Sequence, residues 1–180
     1  YRVSVDLSDF HEVEIELDDS DTKPTILSFH INETGEIWLG TLNEGIYKSS
    51  DMGAIEQDLV SFRKVRHPRE NHTFYAIESA ETGEIWTSSN NGIVVFSKFA
   101  GYEGTIGKRD GLKSLDFNQG ASLKDSHGNL YFGGSNGYTV FNPSDMNFER
   151  KPSPMLLTGL DIAGDSSIPS TALPYLHNVE

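Results

Sequence analysis

Apolar and polar residues alternate in short runs along this chain, and three of the runs share one phase. They read Gly35-Glu36-Ile37-Trp38-Leu39-Gly40, Gly83-Glu84-Ile85-Trp86 and Gly128-Asn129-Leu130-Tyr131-Phe132-Gly133, starting 48 and then 45 residues apart. Period-two alternation predicts a β-strand whose two faces meet different surroundings. A glycine-marked turn follows each run, at Asn43-Glu44-Gly45, Asn91-Gly92 and Asn136-Gly137, and a second run rich in β-branched and aromatic residues comes after it. Asn-Gly predicts two-residue type I′ hairpins in the second and third copies, and the longer first turn predicts a glycine bulge. Further strand candidates lie upstream at 25–31, 73–79 and 120–124, and downstream at 61–65. Residues 1–5 and 10–17 match the closing part of such a unit, so the chain is expected to begin inside one.

About four strands per unit at this period predict propeller blades. The expected fold is all-β: a β-propeller fragment of about three to four blades, each a four-stranded antiparallel sheet. Trp38, Trp86 and Tyr131 occupy one repeated position, where blade should pack on blade rather than on a ligand. Gly40, Ser88 and Gly133 are small at another, as close approach between sheets requires. Gly45, Gly92 and Gly137 mark the closing turns.

These phrases resemble the two-component regulator propeller repeat, with its Gly-x-Ile/Leu-Trp-x-Gly-Thr and Gly-Ile/Leu-Tyr pattern; Ser88-Ser89 departs from it in the second copy. Asp110-Gly111-Leu112-Lys113-Ser114, Phe117-Asn118, Gly128 to Gly134 and Phe141-Asn142-Pro143 resemble the last blade of such sensors. Pro154-Met155-Leu156-Leu157-Thr158-Gly159-Leu160-Asp161-Ile162 and Leu173-Pro174-Tyr175-Leu176-His177-Asn178 resemble the first strands of the tyrosine-motif β-sandwich that follows it. The resemblance implies two domains, blades over 1–150 and the start of a sandwich over 151–180. It implies the periplasmic sensor region of an inner-membrane protein, with a histidine kinase or diguanylate cyclase as parent and no catalysis in this segment. The implied partners are a small-molecule ligand, oligosaccharides among the candidates, and the remainder of the parent chain, with signalling by conformational change. A propeller enzyme (a lyase or a glycoside-processing protein) and a protein-binding scaffold are the alternatives.

Charge and composition narrow this further. A formal net charge of −13 over 180 residues argues against nucleic acid and anionic membranes as partners. The absence of cysteine removes disulfides and thiolate metal sites. No apolar run approaches the ~20 residues of a membrane-spanning helix. His67 and His72 share a polar loop that is expected to be solvated between blades, and Asp18-Asp19-Ser20-Asp21 lacks the glycine and distal glutamate of a calcium loop. No catalytic residue, metal site or cofactor is expected. Departure from the repeat is where a binding site should lie, and the longest departure is 104–120. It carries Asp110 and the four candidate ligand-binding residues Arg109, Asp116, Asn118 and Gln119, groups able to hydrogen-bond a hydroxyl-rich ligand. Three and a half units cannot close a ring, so an apolar blade face should remain open and favour self-association.

Overall fold

A computed structural model describes residues 13–18, 23–50, 59–68 and 72–146, all within one compact unit. The described chain holds twelve strands in three sheets. The first sheet contains β1 (Glu14–Leu17), β2 (Ile26–Ile31), β3 (Ile37–Thr41), β4 (Ile46–Ser49) and β5 (Leu59–Lys64). The second contains β6 (Phe74–Ser79), β7 (Ile85–Ser89), β8 (Gly92–Phe96) and β9 (Tyr102–Ile106). The third contains β10 (Phe117–Lys124), β11 (Leu130–Gly134) and β12 (Gly137–Phe141). Apart from β1, each sheet is an antiparallel meander in chain order, and the strands β2, β6 and β10 that open the meanders lie side by side. The sheets are therefore successive propeller-like blades whose innermost strands meet along one axis.

Two details differ from the sequence expectation. The alternating segment ending at Leu17 does not close an earlier sheet. Strand β1 instead pairs in parallel with β5, Ile15 opposite Val60 and Leu17 opposite Phe62, adding a fifth strand to the first blade. This covers the open hydrogen-bonding edge of β5 and buries Val60 and Phe62 with Leu39 and Tyr47. The hairpins are also not type I′. Pairing of Ser89 with Gly92 and of Gly134 with Gly137 leaves Asn90-Asn91 and Ser135-Asn136 in the turns, none with positive φ. The glycine comes next, at φ 126° in Gly92 and 115° in Gly137, which is the geometry of a bulge glycine following the turn.

Two cores lie between blades. Trp38 and Ile46 of the first blade meet Phe74, Ile77, Ile85, Val94 and Phe96 of the second. Ala76, Trp86, Ile93 and Val95 on the opposite face meet Phe117, Leu130 and Phe132 of the third. Trp38 lies 6.2 Å from Phe96 and Trp86 lies 5.0 Å from Phe141, both tilted. Burying an indole of this size removes enough area for roughly 4–6 kcal/mol of transfer free energy. Gly40 is small because a Cβ there would stand 2.7 Å from the Phe74 carbonyl of the next blade.

Tyr131 holds the same repeat position but faces away from the second blade. Its hydroxyl donates to Asp125 at 3.1 Å and its ring lies 5.9 Å from Tyr138, which is 71% exposed. The segment 151–180 lies outside the described residues.

Candidate functional site

The blades share a crowded end where the turns of one reach the crossing segment of the next. Gly45 N–H donates to the His72 carbonyl at 3.0 Å, Thr73 Oγ1 donates to Asn43 Oδ1 at 2.9 Å, and Asn90 N–H donates to the Thr73 carbonyl at 3.3 Å. The crossing before the third blade belongs to the same end. A Cβ on Gly92 would meet the Ile106 carbonyl at 2.1 Å, and one on Gly134 would meet the Asp116 carbonyl at 1.8 Å. Backbone touches backbone here, so these glycines position the crossing.

The crossing at 104–120 is shorter than the sequence expectation because both of its ends are strand. What remains is 107–116. Asp110 does not point to a ligand: its Oδ2 accepts Gly107 N–H at 2.8 Å and caps a single 3-10 turn, Lys108–Asp110, which Gly111 closes at φ 99°. Leu112 and Phe117 are buried in the core with Trp86 and pin both flanks of the loop. Arg109 stands exposed on the 3-10 turn. Asp116 is exposed beside a cleft of about 300 Å³, shared with Ser114, Asn136 and Tyr138.

Asn118 and Gln119 lie where the repeat breaks most. All three innermost strands carry an irregularity at this level. In β2 it is Leu27, between the pairs Ile26–Thr41 and Ser28–Gly40; in β6 it is Tyr75, between Phe74–Ser89 and Ala76–Ser88. Each adds one residue. In β10 the pairs are Phe117–Gly134 and Ser122–Phe132, so residues 118–121 stand opposite Gly133 alone and three extra residues bulge out. Gly120 supplies the left-handed turn that this requires, at φ 65°, and Asn118, Gln119 and Gly120 are all exposed. Asp116 lines the cleft with Phe117, while Asn118 and Gln119 open the bulge just after Phe117 and lie outside the cleft lining. Arg109 is not part of the cleft lining.

Farther along the axis lies a second polar group, which no motif marks. His30 Nε2 lies 3.0 Å from Ser79 Oγ, and Glu78 is hydrogen-bonded to Ser122, with Lys124 near both. Burial, with help from Lys124, holds the His30 imidazole below its ordinary pKa; burial pushes the Glu78 carboxyl up, against Ser122 and Lys124. The residues stand opposite Trp38 and Trp86 across the first ladder. The repeat phase was the available signal, since it marks them as one position in two blades.

His67 and His72 are not solvated as a pair. Their rings lie 4.5 Å apart, His72 is buried, and His67 packs edge-on to Phe74 and Tyr102 at the margin of the inter-blade core. Asp18 lies 3.8 Å from Arg63, and 19–21 fall outside the described residues. Among the described residues no three His, Asp or Glu side chains are grouped to hold a metal ion, and no helix is long and apolar enough to cross a membrane.

Comparison with known proteins adds what geometry cannot. The solved extracellular domain of a hybrid two-component system from B. thetaiotaomicron matches 67% of this chain at 29% identity, with a TM-score of 0.54. The chain is similar to the extracellular part of two-component sensors. A second such domain from the same organism matches 68% of the chain at TM-score 0.52 and 21% identity, a likeness of fold alone. Histidine kinase P4 of Formosa agariphila is 29% identical over 82 residues, 46% of this chain. No protein-family model matches. The chain spans 6% of that kinase and 16% and 18% of the two solved domains, so it corresponds to a small part of each.

Proposed function

We propose that this chain is part of the periplasmic, ligand-sensing region of a bacterial inner-membrane signalling protein, and that it detects a hydroxyl-rich ligand, an oligosaccharide in the first instance, by binding and conformational change. The observation that carries the reading is the three-residue bulge of β10. Its sister strands spend one residue at the same level, and nothing in blade packing calls for two more. The extra residues present amide side chains, which donate and accept to hydroxyls without the desolvation cost of a charge. Asp116, just before them in the chain, carries an acceptor, and Arg109, on the 3-10 turn of the same loop, a donor.

Binding here would couple to the blades mechanically. The loop is held by Leu112 and Phe117 in the core and by the contact of Gly134 with the Asp116 carbonyl, so a ligand that moves the loop loads the interface of the second and third blades. Sensing in this reading needs no bond-breaking step. The uncovered face around Tyr131 would be occupied by the remainder of the parent chain or, in isolation, by a second copy.

The experiment is a thermal-shift screen of neutral oligosaccharides against the full chain, followed by calorimetric titration of the best one. A specific ligand raises the melting temperature by mass action. Replacing Asn118 and Gln119 together by Ala should abolish the rise and leave the unliganded melting temperature unchanged, because both side chains are exposed. Unaltered affinity in that variant would overturn the site, and release of a shortened or unsaturated sugar during incubation would overturn the sensor reading in favour of an enzyme.

A further inference from the structure

We propose that the groove between the outer strands of the first blade and the β8–β9 turn of the second is a separate binding site, one that takes an anionic saccharide, a sugar ring bearing carboxylate or sulfate. The site is remote in the sequence from the β10 bulge and shares no residue with it, so the two stand or fall separately.

The groove has a volume of about 660 Å³ and is lined by Lys48, Arg63, Lys64 and Arg66, with Phe99 and Tyr102 on its far wall. No Asp or Glu among the described residues lines it, while four Lys and Arg residues do. In a chain with about twice as many acids as bases, such sorting is contrary to composition. The repeat sharpens the point. Lys48 pairs with Arg63 and Tyr47 with Lys64 on the ladder of β4 and β5; the matching pairs on β8 and β9 are Val95 with Gly104 and Val94 with Thr105. The second blade thus makes the same sheet with apolar and small residues where the first has three cations. Blade architecture does not require the charges.

Two of the cations, Arg63 and Arg66, can meet a ligand in the groove. Lys48 is committed to Glu36 at 2.6 Å, and Arg63 stands 3.8 Å from Asp18 in a largely exposed pair that neutralises little. Arg66 forms no ion pair among the described residues, while Lys64 Nζ rests 5.9 Å from the centre of the Tyr47 ring, on the face of the first sheet turned away from the second blade. A guanidinium can take both oxygens of a carboxylate or sulfate. The chain's overall negative field falls away within about 10 Å at ordinary salt, so these nearby cations dominate inside the groove.

The apolar wall supplies the other half. Phe99 is 82% exposed at a hairpin tip where Ala100 takes the left-handed conformation at φ 63°. Lys98 lies 5.2 Å from the centre of its ring. Tyr102 is held through its hydroxyl, 3.1 Å from Thr105 Oγ1. Aromatic faces beside cations suit a ligand with an apolar ring face and a charged substituent, which distinguishes an acidic sugar from a bare anion.

The test is calorimetric titration of the full chain with trigalacturonate, its methyl ester and galactose 6-sulfate. At least one acidic sugar should bind saturably, more weakly as salt rises, and the uncharged ester at least about tenfold more weakly than the acid. Replacing Arg63 and Arg66 together by Gln should weaken the acidic sugar about tenfold or more, with an unchanged melting temperature showing that the fold is intact. Phe99→Ala should weaken it as well, whereas the Asn118/Gln119 double alanine variant should bind it normally. The proposal is overturned if neither acidic sugar saturates, if acid and ester bind alike, or if the Arg63/Arg66 variant keeps full affinity.

Discussion

The second and third blades have the same hairpins and different neighbours. Across the second sheet, Val95, Trp86 and Glu78 stand in one row; across the third, the row is Val140, Tyr131 and Leu123. The first row is closed over by the third blade. The other is open, with Leu123 59% and Val140 47% exposed. Strands β7 and β8 are buried from end to end, while β12 has no buried residue. A repeated aromatic is therefore buried by the next blade and not by its own sheet. Stability in such an array is a sum of blade and interface terms, and the comparison isolates the interface.

The strongest way to break that comparison is to truncate the same repeat position in both settings. Trp86→Ala should cost about 3–5 kcal/mol, seen as a lower urea midpoint, because the cavity lies in a closed interface. Trp38→Ala should behave alike. Tyr131→Ala should cost clearly less, since its ring gives up no packed partner blade. Equal losses at Trp86 and Tyr131 would mean that each sheet buries its own aromatic.

A second test uses the small position of the repeat. Gly40→Ala brings a methyl to within 2.7 Å of the Phe74 carbonyl, in backbone that cannot rotate away, and should cost about 1–3 kcal/mol. Gly133→Ala meets first the Ala121 side chain at 3.1 Å, within its own blade and next to the β10 bulge. It should cost less, read again as a urea midpoint.

Much of this was legible in the sequence, and the reason is periodicity. Three copies in register identified strands, blade boundaries and the positions of Trp38 and Trp86 between sheets. What escaped was decided by partners far along the chain. Nothing in Phe10 to Leu17 says that β1 joins β5 in parallel, because the alternation suits either neighbour. The Asn-Gly dipeptides marked the turns, but their geometry depends on whether the glycine falls in the turn or just after it, a one-residue question of strand register. Tyr131 kept the phase of the tryptophans and lost their burial. Around the site, the break in the repeat drew attention to Asn118 and Gln119, whereas the size of their bulge follows from pairing with Gly133. The cations of the first blade were invisible for the opposite reason: they lie inside the repeat, and only alignment with Val95, Gly104 and Thr105 makes them unusual.

The open face suggests a milder experiment. Replacing Leu123 and Tyr138 by Ser should leave the midpoint within about 0.5 kcal/mol, as expected for exposed positions. It should also shift the chain towards the monomer in sedimentation, because two large apolar groups leave the uncovered face. An unchanged sedimentation profile would show that this face does not drive association.

The smallest effect expected is in pH dependence, and it separates the closed rows from the open one. His30, Glu78 and Leu123 occupy one repeat position, each opposite the repeated aromatic. Burial, then Lys124, lowers the His30 pKa in the folded state. The unfolded chain takes the proton first, so stability present above about pH 6.5 is lost as pH falls below it. Burial raises the Glu78 pKa, so its contribution has the opposite sign: it is present below the ordinary carboxyl value and lost as pH rises through the raised one. Asp125, held down to about 2 chiefly by its hydrogen bond from the Asn129 side chain, adds a loss only under strongly acidic conditions, common to every variant. Melting temperature against pH should therefore flatten below pH 6.5 in His30→Gln and flatten above the ordinary carboxyl range in Glu78→Gln. Leu123→Gln, on the uncovered row, should leave the profile as it was. If His30→Gln retains the full acid-side loss, the imidazole is solvated and the first two blades are not closed over it.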